Sequence, residues 1–435
     1  MSDAIKLFTK NQVQFAIRGG GYMALDGASN IGSEGILIAN TNFTTLAFTE
    51  DKSALKVGAG IKWPALYNYL DGTGVTVNGI RIGDVGVIGY LLGGGIGFFS
   101  YELHDALPKN WSNNSQCVLG TGEFVTASPT ENTDLFWALR GGGNNFCAVT
   151  EVELKTIVPR QLYMGNIGYG VGPDVQKPYI EGMVDFAING GADPASAIEG
   201  QTRWAPSRNS NVTYFSFLFH NGNETSKDAA FPNLKALALP FVSGNFTEKS
   251  QKTWFDEFPS GSDLGNRKRF IWVNIPATAE AYSIAIDTYY KEIAELASVG
   301  SFFTALSTMP ITSNIVEDSA ANGGNPLGLN ADSAPSLWLV LSPSWKAATD
   351  DATVDSVHAR ATAAITTNLN AAGIKELPFY YLSDAAKGQP VFAGYGQENW
   401  DKLKEISLKY DPEQVFQYLL PGGHKLWRGT AAKRV

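Results

Sequence analysis

The stretch Gly83-Asp84-Val85-Gly86-Val87-Ile88-Gly89-Tyr90-Leu91-Leu92-Gly93-Gly94-Gly95-Ile96-Gly97 decides how the first part of this 435-residue chain is read. Residues 85–100 are uncharged and largely apolar. They are nevertheless too short and too rich in glycine for a membrane span, which needs about 20 apolar residues. Glycine lets backbone N–H groups approach a ligand with no Cβ in the way, and successive N–H groups form a concavity that suits a pyrophosphate.

Two further glycine clusters have the same setting. Arg18-Gly19-Gly20-Gly21 ends an apparent strand at 14–17, and Gly141-Gly142-Gly143 closes a short helix at 130–140. The chain has neither a G-x-G-x-x-G in a strand-turn-helix context nor a G-x-x-x-x-G-K-[ST] loop, so simple dinucleotide-fold and P-loop readings fail. Between the clusters, short apolar runs at 36–38, 46–48 and 55–57 read as buried strands. Trp63-Pro64 opens a helix to Leu70, with proline where a missing N–H is harmless. A helix at 3–10, a hairpin at 116–127 and a strand at 148–157 complete this part, and Pro159 marks a boundary. Beyond it, alternating stretches such as 213–219 and 269–274 mix with helices near 282–297 and 357–369, which predicts an antiparallel sheet covered by helices. Residues 318–336, rich in Ala, Asn, Gly, Ser and Pro, predict a surface loop. A last helix spans 398–409.

Composition narrows the partners. A net charge of -9 and no cluster of Lys and Arg argue against nucleic acid. No segment suits a membrane. Cys117 and Cys147 lack metal-ligand spacing, so two buried thiols and no metal site are expected. Asn-x-Ser/Thr sequons at Asn42, Asn110, Asn113, Asn211, Asn223 and Asn245 suggest a secretory ancestry, chance being the alternative, and the residues after Met1 do not form a signal peptide. The expected location is therefore extracellular if the chain is truncated at its start, and cytoplasmic otherwise.

Three segments taken together, residues 15–22, 83–96 and Asp134-Leu135-Phe136-Trp137-Ala138-Leu139-Arg140-Gly141-Gly142-Gly143-Asn144-Asn145-Phe146, resemble in order and spacing the FAD-binding domain of the berberine-bridge-like oxidases. These belong to the vanillyl-alcohol-oxidase superfamily with its PCMH-type FAD-binding domain. Tyr395-Gly396-Gln397-Glu398-Asn399 and Lys409-Tyr410-Asp411-Pro412-Glu413-Gln414-Val415-Phe416 resemble the C-terminal segment of fungal members. The resemblance implies an α+β, two-lobe protein: a PCMH-type FAD-binding domain at 1–160, a substrate domain at 161–390 with an antiparallel sheet covered by helices, and a segment at 391–435 returning to the first lobe. It implies that Arg18, Gly19, Gly20 and Gly21 cradle the pyrophosphate. Val85, Gly86, Val87, Gly89, Gly93, Gly94 and Gly95 would line the ribityl and ring, Phe146 to Val149 would touch the nucleotide, and Asn399 would reach the flavin. The implied chemistry is hydride transfer from a small molecule to FAD, with dioxygen as the acceptor.

Departures from the family pattern shape the rest. The position that usually holds the flavin-linking histidine is Tyr22, which is expected to sit by the flavin methyl edge. The cysteine of doubly linked members is absent from Ile80-Arg81-Ile82. FAD is therefore expected to be held non-covalently, at a lower potential. Asn110-Trp111 replaces the family's Asp-Asn pair, and Cys147 stands where glycine is usual. The family pattern also opens upstream of Ser2, so an incomplete FAD lobe is expected. Tyr381 matches the segment facing the flavin and is the candidate base; Glu102 and His104 are weaker candidates. The alternative is a degenerate member with a non-redox, cyclase-like role or no catalytic role.

Overall fold

The computed structural model describes residues 1–103, 111–230, 239–258, 265–316 and 324–427. His104 and Asn110 lie outside them. Near the start, helix α1 (Ser2–Asn11) buries Ile5 and Phe8 and leads into strand β1 (Gln14–Arg18). That strand pairs in parallel with β2 (Gly35–Ala39), with Gln14 opposite Gly35. Its other edge meets the far end of the chain: the Phe15 amide donates to the Leu419 carbonyl at 2.7 Å.

A five-stranded antiparallel sheet follows, in the order β3 (Leu46–Phe48), β4 (Ala54–Gly58), β7 (Ala148–Lys155), β5 (Trp111–Val118), β6 (Phe124–Ala127). Helix α2 (Trp63–Leu70) matches the sequence expectation at both ends, its apolar face buried through Trp63, Leu66, Tyr67 and Leu70. The hairpin β5–β6 and helix α4 (Thr133–Leu139) also stand where they were expected, though α4 is shorter. Helix α3 (Val87–Leu92) was not anticipated, because its glycine lowers helix propensity. Burial of Val87, Ile88, Tyr90 and Leu91 overrides that cost.

The expectation of two free thiols is corrected: Cys117 on β5 and Cys147 just before β7 are joined in a disulfide. These strands pair antiparallel and bring the two residues' Cα atoms to 5.7 Å, a closeness that a sequence separation of 30 conceals.

The remaining strands form one eight-stranded antiparallel sheet. Its path is β11 (Thr247–Glu248), β8 (Gln161–Val171), β10 (Asn209–Gly222), β9 (Ser196–Ala205), β14 (Phe303–Ile311), β15 (Ser336–Trp345) and β12 (Arg267–Lys268), with β13 (Ile271–Pro276) also on β15. Helices α5 (Pro173–Asn189), Ala279–Glu292 and Asp351–Ala371 cover one face. Buried tyrosines pin them down: Tyr179 Oη donates to the Phe215 carbonyl at 2.8 Å, and Tyr282 Oη pairs with Thr308 Oγ1 at 2.7 Å. Because side chains alternate along a strand, Gly200 on β9 meets these helices while Glu199 points to the other face.

That other face receives the first part of the chain. Phe98 stacks on Phe219 of β10 with ring centroids 5.1 Å apart, and Tyr101 Oη donates to the Pro310 carbonyl at 2.6 Å. The surface loop expected at 318–336 is corrected in part. Leu327 and Leu329 are buried, a Cβ on Gly328 would fall 2.1 Å from the Tyr395 carbonyl oxygen, and Ser336 already belongs to β15. Residues 317–323 lie outside the described part.

Candidate cofactor and substrate site

A cavity opens where the glycine clusters of the first part meet the eight-stranded sheet and the C-terminal segment. One wall is backbone. Gly19, Gly20, Gly21 and Tyr22 lead off the end of β1, and Gly86, Ile88 and Gly89 come from the start of α3. The two ridges touch without side chains: a Cβ on Gly20 would lie 2.2 Å from the Gly86 nitrogen. Among the described residues, the N–H groups of Gly19, Gly20 and Gly21 donate no hydrogen bond, and neither do those of Ile88 and Gly89 in the first turn of α3. A Cβ on Gly89 would meet nothing within 4 Å. The wall thus offers unpaired donors and open space, which suits the phosphates of a dinucleotide such as FAD.

The C-terminal segment closes this end. Asn144 Nδ2 donates to the Gly422 carbonyl at 3.2 Å, Lys425 Nζ donates to Asn144 Oδ1 at 3.0 Å, and Asn145 Nδ2 donates to the His424 carbonyl at 3.0 Å. Gly423 and His424 line the cavity together with Ala28 and Ser29, Gly422 packing against Gly27 and Ala28. The segment is locked by Asp411, whose carboxylate accepts from the Val415 and Phe416 amides at 3.0 and 2.8 Å. Burial pushes the Asp411 pKa up to about 6, despite those amides.

The cavity lining also includes Tyr90, Arg81, Ile96, Phe270, Tyr381, Leu382 and Asp384. Tyr381 is fixed by aromatic packing on the sheet, its ring centroid 5.9 Å from that of Trp272 and 6.2 Å from that of Trp338. Its hydroxyl accepts from the Ile96 amide at 3.5 Å. Gln389 ties the loop to β13, donating to the Trp272 carbonyl at 2.7 Å and accepting from the Trp272 amide at 3.0 Å. Arg81 Nε lies 3.2 Å from Glu199 Oε2, joining the first part of the chain to β9.

Burial is the main electrostatic influence here. It raises the Tyr381 hydroxyl to about 12, helped by Asp384. It raises the Asp384 carboxyl to about 7, opposed by Arg81 and helped by Glu199. Tyr90, buried with its hydroxyl unpartnered, is held well above the usual phenol range for the same reason. Burial also acts to lower Arg81, but Glu199 and its neighbours outweigh it and the guanidinium stays charged.

The sequence candidates separate into three groups. Gly19, Gly20, Gly21, Tyr22, Val85, Gly86, Gly89, Val149 and Tyr381 face the cavity. Arg18, Val87, Gly93, Gly94, Gly95, Phe146 and Asn399 are not among its lining residues. Arg18 Nη1 donates to Asn30 Oδ1 at 2.8 Å. Val87 and Phe146 are fully buried in the core. Gly93 instead admits Ser383, whose Oγ would lie 2.0 Å from a Cβ there, while Gly94 and Gly95 take positive φ to end α3. Asn399 Nδ2 donates to the Tyr395 carbonyl at 3.3 Å, one turn back. Glu102 binds Arg160 and Asn221 and is absent from the cavity wall. Tyr22 lies against Gly83, where a Cβ would be 3.0 Å from its hydroxyl.

Sequence reasoning missed Arg81, Glu199, Asp384 and His424. Asp384 sits three residues past Tyr381 and was within reach of a motif argument. Glu199 carries no local signal, since only the register of β9 brings it to Arg81. Among the described residues, no cluster of His, Cys, Asp and Glu is arranged to hold a metal, and no helix is long and apolar enough to cross a membrane.

Comparison with known proteins agrees with this geometry. Residues 1–128 match the family model of an FAD-binding domain. The chain is 32% identical to an FAD-dependent monooxygenase of Arthrobotrys oligospora, over 98% of this chain and 80% of that protein. It is 30% identical to the bifunctional solanapyrone synthase of Alternaria solani, over 98% and 79%. Its fold is similar to 6-hydroxy-D-nicotine oxidase from Arthrobacter nicotinovorans, with a TM-score of 0.77 at 21% identity, covering 96% of this chain and 88% of that one. A similar match, TM-score 0.75 at 20% identity over 95% and 87%, is the xylooligosaccharide oxidase of Myceliophthora thermophila. With a glycine wall that fits FAD and relatives of this kind along almost its whole length, the chain belongs to the family of FAD-linked oxidoreductases that includes the fungal FAD-dependent monooxygenases.

Proposed function

We propose that the protein oxidises a small, largely apolar molecule in this cavity, with FAD bound non-covalently and dioxygen as the final acceptor. The observation that carries the reading is a single cavity whose lining combines unpaired glycine amides with Tyr381 and Asp384. When bound, FAD supplies the hydride acceptor and passes the electron pair on to dioxygen.

The chain's own residues do the rest. The amides of Gly19, Gly20 and Gly21 hold phosphate oxygens, and the Gly86 to Gly89 ridge leaves room for the ribityl chain. Ile80, Ile96, Phe270 and Leu382 exclude water from the substrate end. As hydride leaves the substrate carbon, its hydroxyl or amine proton must go to a nearby group. Asp384 is the better acceptor, because a pKa of about 7 places it near neutrality. Tyr381, raised to about 12, stays protonated and orients the substrate by donating a hydrogen bond. Tyr22 contributes no covalent bond to the flavin.

The test is anaerobic mixing of FAD-loaded protein with a panel of alcohols, phenols and amines. Bleaching of the flavin absorbance by one class, then recovery and hydrogen peroxide on admitting air, is the expected result. Turnover of a substrate with no bleaching contradicts a redox role.

Exposed sequons support a secretory location for the natural protein. Asn42, Asn211, Asn223 and Asn245 all stand on the surface. Expression through a yeast secretory route is expected to give a product whose mass falls on endoglycosidase treatment, and an unchanged mass counts against it.

A further inference from the structure

Arg81 is the one charged group of the cavity wall whose role the redox reading leaves open. Its guanidinium is largely buried, with 16% of the side chain exposed, and its edge toward β9 is taken by Glu199 at 3.2 Å from Nε. Glu199 is itself held, its Oε1 accepting from Gln201 Nε2 at 3.3 Å, and Gln201 Oε1 in turn accepts from Arg203 Nε at 2.8 Å. The Arg81 backbone is fixed too, its carbonyl accepting from Trp254 Nε1 at 2.7 Å. Among the described residues, Nη1 and Nη2 of Arg81 donate no hydrogen bond. A guanidinium held from behind, with no acceptor on its fork among the described residues and in the wall of a cavity also lined by Ile80, Ile96 and Phe270, points to a ligand.

Resting on the assignment of this cavity to FAD and substrate, we propose that Arg81 is the specificity-determining residue for a substrate bearing an acidic oxygen, a carboxylate or an enolate, on an apolar body. The planar fork pairs two parallel N–H donors with two oxygens, or with one oxygen of concentrated charge. Glu199 sets the orientation of the fork from behind. It also lowers the net positive charge of the site, so neutral molecules are tolerated while a dianion is disfavoured. The apolar lining receives the body of the substrate.

The probes are benzoate and the anion of 1,3-cyclohexanedione, each against its uncharged counterpart, benzamide and cyclohexanone. Binding is read from perturbation of the flavin absorbance of the FAD-loaded protein at pH 6, where both probe acids are ionised and Asp384, raised to about 7, keeps its proton beside Arg81. Wild type is expected to bind at least one anion at least 10-fold more tightly than its counterpart. The anion that binds identifies carboxylate or enolate as the preferred form. Arg81→Met is expected to remove that preference, with the neutral probe unchanged, and Arg81→Lys to retain part of it. Glu199→Gln removes the competing carboxylate and is expected to tighten anion binding severalfold, which keeps the test usable if Arg81→Met fails to fold. No anion preference in FAD-loaded wild type, or an unchanged preference in Arg81→Met, or weaker anion binding in Glu199→Gln overturns the assignment. A protein that neither carries nor takes up FAD overturns the underlying reading instead.

Discussion

Asp384 shows how burial gives one carboxyl a task its neighbours cannot perform. With its pKa raised to about 7, it stays protonated in the folded protein over a range where an unfolded chain has already lost the proton. Its contribution to stability is therefore fully present below pH 4 and is lost as pH rises through 7. Asp384→Asn is expected to melt higher than wild type at pH 8, by roughly 2–8 °C, with the difference shrinking towards pH 4. Scanning calorimetry across that range checks it, and a gap that widens on acidification contradicts it. In the reductive reaction the same variant is expected to slow flavin bleaching by about 100-fold or more and to lose the pH limb near 7. Tyr381→Phe keeps that limb and loses rate only. Tyr381 was legible in the sequence because a motif surrounds it. Arg81 and Glu199 were not, because their pairing is made by a strand register 118 residues away in the chain.

At the scale of elements, the glycines of the cavity wall divide into two kinds, shown by Gly20 after β1 and Gly89 in α3. Gly20 has no room for a Cβ, which would lie 2.2 Å from backbone, whereas Gly89 has nothing within 4 Å. Gly20→Ala is expected to lower both melting temperature and FAD content. Gly89→Ala is expected to raise the stability of the FAD-free protein by about 0.5–1 kcal/mol through helix propensity, while weakening FAD binding at least 10-fold. Fluorimetric FAD titration beside thermal melts separates the two; Gly89→Ala with full affinity contradicts the placement of the ligand against α3. The C-terminal segment makes its own prediction. Asp411→Ala leaves two amides without acceptors and is expected to cost roughly 2–4 kcal/mol, read from denaturant melts. Helix α2 was legible because Trp63-Pro64 and its apolar spacing agree. Helix α3 was not, because tertiary burial of Tyr90 and Leu91 overrode a glycine-rich local sequence.

For the whole molecule, parts of the chain far apart in sequence build one cavity: glycine backbone from the first part, and Phe270, residues 381–384 and the C-terminal Gly423 and His424 from the rest. The antiparallel sheet with helices on one face was legible from alternation, yet the strands at 161–171, 196–205 and 303–311 were not singled out. Their near-continuous burial hides the period-2 pattern that marks a half-exposed strand. In the function proposed above, this assembly holds FAD without a histidine link, Tyr22 standing at that position. The most direct measurement is the flavin content of purified protein after acid precipitation. About one FAD per chain, all of it released to the supernatant, is the result expected here. Flavin that pellets with the protein, or protein that neither carries nor takes up FAD, contradicts the account.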